Sequence, residues 1–116
     1  MKEEIAEKWI NTLRSGEYEQ GKGSLRFRNK YCCLGVLCDL YSKENNENWE
    51  MFDEKTEQYS FQECLAYLPE KVQKWAGMKT CSGEINHKID SLTHANDKGF
   101  TFEEIAELII QNKENL

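Results

Sequence analysis

The sequence has no Cys-x-x-Cys pair, no apolar run approaching the ~20 residues that span a bilayer, a single proline and no excess of basic residues. Each absence excludes something. Neither His87 nor His94 stands at ligand spacing from a cysteine, so no zinc signature is present. The lack of a long apolar run leaves no transmembrane helix and predicts no membrane partner. A net charge of −6 argues against a general binder of long nucleic acid or of anionic membrane. Met1-Lys2-Glu3-Glu4 leads straight into an amphipathic pattern rather than a signal peptide, which points to a cytoplasmic protein. Its five cysteines, an odd number, are then read as reduced thiols filling the core. Apolar residues are also scarce, at 39% against 31% charged. Three Trp, five Tyr and five Phe supply the anchors of one hydrophobic core, so residues 1–116 are expected to form a single domain.

What is present centres on Tyr31-Cys32-Cys33-Leu34-Gly35-Val36-Leu37-Cys38-Asp39-Leu40-Tyr41, where Asp39 is the only charge. Helical spacing of Cys33, Leu34, Leu37, Leu40 and Tyr41 predicts a helix over 32–43, with a strand at 30–34 as the competing reading. Gly35 inside such a helix costs roughly 1 kcal/mol relative to Ala, which implies close packing against another backbone. Before this run, Lys22, Arg26, Arg28 and Lys30 give residues 21–38 a charge of +4. The rest of the chain therefore sums to −10.

Three further helices are expected. Ile5, Ala6, Trp9, Ile10 and Leu13 mark one over 3–14, ended by Gly16. Pro69 starts another over 69–76, with Val72, Trp75 and Ala76 inward and Gly77 at its end. Thr101 and Glu104 form a capping box for the last, over 101–113. Leu25-Arg26-Phe27-Arg28 alternates as a half-buried strand, which would set Arg26 and Arg28 on one face, with Asn29-Lys30 as a turn. Residues 49–61 read as a hairpin, although Ser60 and Glu63 also fit a capping box, and 84–92 as short extended pieces. Residues 16–24 read as a loop, and Asn96-Asp97-Lys98-Gly99 as a turn. The fold class is α+β: about four helices packed on short antiparallel strands and hairpins.

Several chemistries compete for this frame. Cys32 or Cys33 beside Arg28 and Lys30 could be a nucleophile with a histidine as base, but the burial expected of the run opposes it. His94 with Asp97 is a second enzymatic option, weakened because an Asp in such a turn usually caps backbone. Gly21-Lys22-Gly23-Ser24 lacks the spacing and preceding strand of a phosphate loop. The reading preferred here is a small anionic ligand, with Arg26, Arg28, Lys30 and Lys22 on its phosphates and Tyr18, Tyr31 or Trp49 stacking on a base. The bland alternative is a strand edge protected by charge.

The blocks Ser15-Gly16-Glu17-Tyr18, Tyr31-Cys32-Cys33-Leu34-Gly35-Val36-Leu37-Cys38-Asp39-Leu40, Trp75-Ala76-Gly77 and Asn96-Asp97-Lys98-Gly99 with Phe102 to Ala106 occur together. In this the chain resembles a family of small bacteriophage and prophage proteins, over essentially its full length. The resemblance implies an accessory role, and among such roles countering host defence. Joined to the basic island, it suggests a non-catalytic sponge that sequesters a cyclic or other signalling nucleotide, needs no cofactor, and forms a homo-oligomer to enclose its ligand. The alternative is an acidic inhibitor that mimics nucleic acid and binds a host defence protein.

Overall fold

The first amphipathic stripe forms helix α1 (Glu3–Arg14), which buries Ile5, Ala6, Trp9, Ile10 and Leu13 as its periodicity dictates. Gly16 follows at φ +79°, the left-handed conformation that ends the helix. The last stripe forms α5 (Phe102–Asn112), opened by the Thr101–Glu104 capping box. These two helices pack antiparallel. Arg14 meets Glu103 and Glu107 at one end, and Lys113 meets Glu3 at the other. These exposed ion pairs contribute about 0–1 kcal/mol each, so the buried aliphatic faces hold the pair together.

The computed structural model describes all 116 residues and places the cysteine-rich run at its centre. Helix α2 (Cys33–Asn45) is packed by α1, by α3 (Glu70–Ala76) and by α4 (Leu92–Lys98). It is not amphipathic over this run: Cys33 to Asp39 and Tyr41 are all buried, as befits a helix enclosed on every side. The indole of Trp9 donates to the Cys33 carbonyl at 2.9 Å, tying α1 to the first turn of α2. Gly35 has the reason its position implied. A Cβ there would lie 1.9 Å from the Leu25 carbonyl oxygen, so only glycine lets the strand backbone cross α2.

The sheet runs in the order β1-β3-β2-β5-β4, with β1 (Glu19–Gln20), β2 (Arg26–Phe27), β3 (Lys30–Tyr31), β4 (Glu50–Asp53) and β5 (Gln58–Ser60). It is mixed rather than purely antiparallel, because β1 pairs parallel to β3. The hairpin over 49–61 forms as expected. Ser60 ends β5 and caps no helix; Phe61 to Cys64 make a tight turn, with Gln62 and Glu63 at positive φ. The turn between β2 and β3 falls on Arg28-Asn29, one residue earlier than Asn29-Lys30, with Arg28 at φ +51°.

Two elements depart from expectation. Residues 84–92 make only an isolated Glu84–Ser91 bridge around a turn, in which Asn86 accepts from the backbone of Lys88 and Ile89. Ser91 then caps α4 through the His94 amide, so Asn96-Asp97-Lys98 is helical and Gly99 is its left-handed end. Helix α4 buries Leu92, Ala95 and Asn96. The stripe has helical spacing, but its third member is polar and leaves no apolar pattern to read.

Candidate functional site

The site is built outward from the Gly35 crossing. Leu25 is buried against α2, so Arg26 leaves the core on the opposite side of β2. Its cross-strand partners are Tyr31 on β3 and Tyr59 on β5, and Tyr59 in turn faces Met51 on β4. Tyr31, Arg26, Tyr59 and Met51 therefore form one row across the sheet, where such neighbours interact directly. The Arg26 guanidinium lies 3.9 Å from the Tyr59 ring centre, 5.2 Å from Tyr31 and 5.6 Å from Trp49. Its Nε donates to the Arg28 carbonyl at 2.7 Å. Arg26 has no carboxylate partner, so its terminal N–H groups are held in place yet not neutralised.

A buried carboxylate sets the aromatic wall beside it. Asp39, projecting from α2, accepts from Trp49 Nε1 at 2.9 Å and from the Tyr18 hydroxyl, and Lys43 lies 3.5 Å away. Lys43 also donates to the Tyr18 oxygen at 3.0 Å. These partners offset the cost of burying the charge. With their polar ends fixed, Tyr18 and Trp49 close on Tyr31 from two sides, edge to face, with ring centres 5.0 and 5.8 Å apart. Burial, then the hydrogen bond to Asp39, pushes the Tyr18 phenol far above its ordinary pKa; burial, then the Asp39 charge, raises Tyr31. Raised in this way, neither phenol is suited to act as a base or nucleophile, and Tyr18 serves as a donor to Asp39.

Of the residues singled out from sequence, Arg26, Tyr18, Tyr31 and Trp49 come together. The remaining cations do not join them. Because Arg28 sits in the turn at positive φ, the strand alternation stops before it, and its side chain pairs with Glu57 at 3.3 Å. Lys30 lies 3.9 Å from Glu19 on β1. Lys22 reaches the end of α4, its Nζ 3.6 Å from where a Cβ on Gly99 would stand. The expected shared face of Arg26 and Arg28 is thus corrected to a single cation. Sequence reasoning missed Asp39, Lys43 and Tyr59 as participants. The signals were there: Asp39 is the only charge in its run, Lys43 follows one helical turn on, and Tyr59 lies in the hairpin that pairs with β2.

Burial raises the Cys32 thiol to about 11 and pushes Cys33 and Cys38 up as well, which disfavours the thiolate a nucleophile needs. The Asp97 carboxylate caps a backbone other than its own: it accepts from the Gly23 amide at 2.9 Å and pins the glycine loop. Asn96 beside it is buried, accepting from Gln20 and the Cys33 amide and donating to the Gly21 carbonyl. No group of three or more His, Cys, Asp and Glu side chains is placed to hold a metal ion. Surface depressions of about 450 and 400 Å³ share Glu84 and Asp90; the second is also lined by Tyr67, Cys81, His94 and Asp97, and Arg26 lines neither. No helix is long and apolar enough to cross a membrane.

A family model described as a domain of unknown function, DUF8296, matches residues 1–113. No curated protein and no solved structure matches the chain.

Proposed function

The chain belongs to the DUF8296 family, and from the Arg26 cluster we propose that it is a phage accessory protein that binds and sequesters a small phosphate-bearing ligand of host defence. The observation that carries this reading is the Arg26 guanidinium, stacked on Tyr59, flanked by Tyr31 and Trp49, and free of any carboxylate. An arginine held over an aromatic ring and hydrogen-bonded through its Nε is already ordered, so it loses little freedom when it grips a phosphate. A signalling nucleotide suits the chemistry, with its phosphate on Arg26 and its base against the half-buried aromatic rings beside it. The site lies on an open sheet face, so a second copy of the chain would supply its other wall. The phage setting comes from the resemblance of the Cys-Cys-Leu-Gly-Val-Leu-Cys block, and the host cytoplasm is where such a ligand occurs. Binding without catalysis fits a cluster in which burial raises the phenols of Tyr18 and Tyr31.

The test is isothermal titration calorimetry against a panel of linear and cyclic signalling nucleotides. Losing a charge-assisted hydrogen bond costs about 1.5–3 kcal/mol, so Arg26→Ala should weaken binding roughly ten- to hundredfold. Arg28→Ala and Lys30→Ala, whose side chains are already paired with acids, should stay within about twofold. Equal damage from Arg28→Ala, or no binding across the panel, contradicts the assignment.

A further inference from the structure

Strand β4 ends the sheet, so the backbone groups along its outer edge have no strand partner. Such edges are usually blunted by charge, a bulge or a cover. Here the ladder to β5 shifts register between Met51 and Asp53 and leaves Phe52 unpaired, while acids stand at both ends of the strand, Glu50 and Asp53, and just beyond it at Glu54. Met51 is 45% exposed and Phe52 61%, two adjacent apolar side chains in solvent on this edge strand. Met51 lies opposite Tyr59 on the neighbouring strand, so this apolar anchor has an aromatic ring beside it.

Charge favours one occupant over another. Antiparallel pairing with a second copy, in the register that sets Met51 against the other Phe52, places Glu50 opposite Asp53 at both ends. Like charges directly opposite destabilise a strand pair. A strand carrying lysine or arginine at those places, with apolar residues between, meets complementary charge instead. We infer that the free edge of β4 docks an extended basic segment of another protein, with Met51 and Phe52 as its apolar anchors. Main-chain hydrogen bonds supply the attachment, and the acids select the partner's charge. This surface is independent of the ligand assigned to Arg26.

The probe is a nine-residue peptide of alternating lysine and valine, titrated into isotope-labelled protein and followed by amide NMR. Two controls accompany it: the same peptide N-methylated at alternate amides, which keeps its charge but cannot form the ladder, and a glutamate–valine version. The lysine peptide should shift the amides of residues 50–53 and slow their hydrogen exchange, and both controls should fail. Glu50→Lys and Phe52→Ser, at exposed positions, should each weaken binding at least tenfold while amide shifts outside β4 stay in place. Arg26→Ala should leave it unchanged. Equal binding of the N-methylated peptide would reduce the effect to bulk charge, and absence of binding would remove it. A dimer of the wild-type chain that Phe52→Ser dissolves in sedimentation equilibrium would assign the edge to a second copy instead.

Discussion

Replacing Gly35 by alanine tests the contact on which both the core and the site depend. The added Cβ would stand 1.9 Å from the Leu25 carbonyl oxygen and 2.8 Å from its carbonyl carbon. Both are backbone atoms, so no flexible side chain can swing away. Relief requires moving β2 off α2. That strains the bonds from the Cys32 amide to Leu25 at 3.2 Å and from the Leu25 amide to Leu65 at 2.7 Å. Overpacking in a well-packed core costs about 1–3 kcal/mol, and two weakened backbone bonds add roughly 0.5–1.5 each. Alanine's better helix propensity returns at most ~1 kcal/mol. The net expectation is a loss of about 3 kcal/mol, a large share of the roughly 5–15 that stabilise a domain of this kind. In urea unfolding followed by circular dichroism the midpoint should fall accordingly, with Tm lower by about 10–20 °C. Gly16→Ala is the control: nothing lies within 4 Å of its Cβ, and its φ of +79° alone should cost about 1–2 kcal/mol. A Gly35→Ala protein no less stable than Gly16→Ala would refute the reasoning.

Asn96→Ala removes the shared partner of Gln20, the Cys33 amide and the Gly21 carbonyl, and leaves buried groups unpaired at about 1–3 kcal/mol each. Chemical denaturation should show a loss of at least 2 kcal/mol on that scale, and a loss below 0.5 would mean water replaces the side chain. Cys32 gives a pH dependence. With its thiol raised from 9.0 to about 11 by burial, its stabilising share is complete below pH 9 and is lost as pH climbs through about 11. The unfolding midpoint should therefore decline over that window and decline less in Cys32→Ala. In the native protein iodoacetamide should modify exposed Cys81 well before buried Cys32, Cys33 and Cys38, read by peptide mass spectrometry. Equal rates would show that the core opens readily.

Helices α1 and α5 were legible because each carries an apolar stripe long enough to have a period, and α5 adds a cap with a reciprocal partner. Gly35 was legible for the opposite reason, as a residue that weakens a helix unless space demands it. Helix α4 was not, since its buried stripe passes through Asn96, whose place in the core depends on partners 63 to 76 residues away in sequence. Strand β1 has two residues and no alternation to recognise. At the site, Arg26 with Tyr31 and Trp49 followed from charge beside aromatics, but a strand period assigned Arg28 to the same face. One turn residue at positive φ was enough to break that inference. The role of Asp39 depends on Tyr18 and Trp49 arriving from two separate loops, a convergence that local pattern cannot express.

If Arg26 holds a small phosphate-bearing ligand, small-molecule mass spectrometry will detect it without prior choice of ligand. Wild-type and Arg26→Ala proteins are purified from bacterial cells under phage challenge, denatured by heat, and the released molecules compared. A nucleotide should be released in near-stoichiometric amount from the wild type and be absent from Arg26→Ala, with circular dichroism showing the variant folded. No released ligand from the wild type, or the same ligand from both proteins, would contradict the Arg26 assignment.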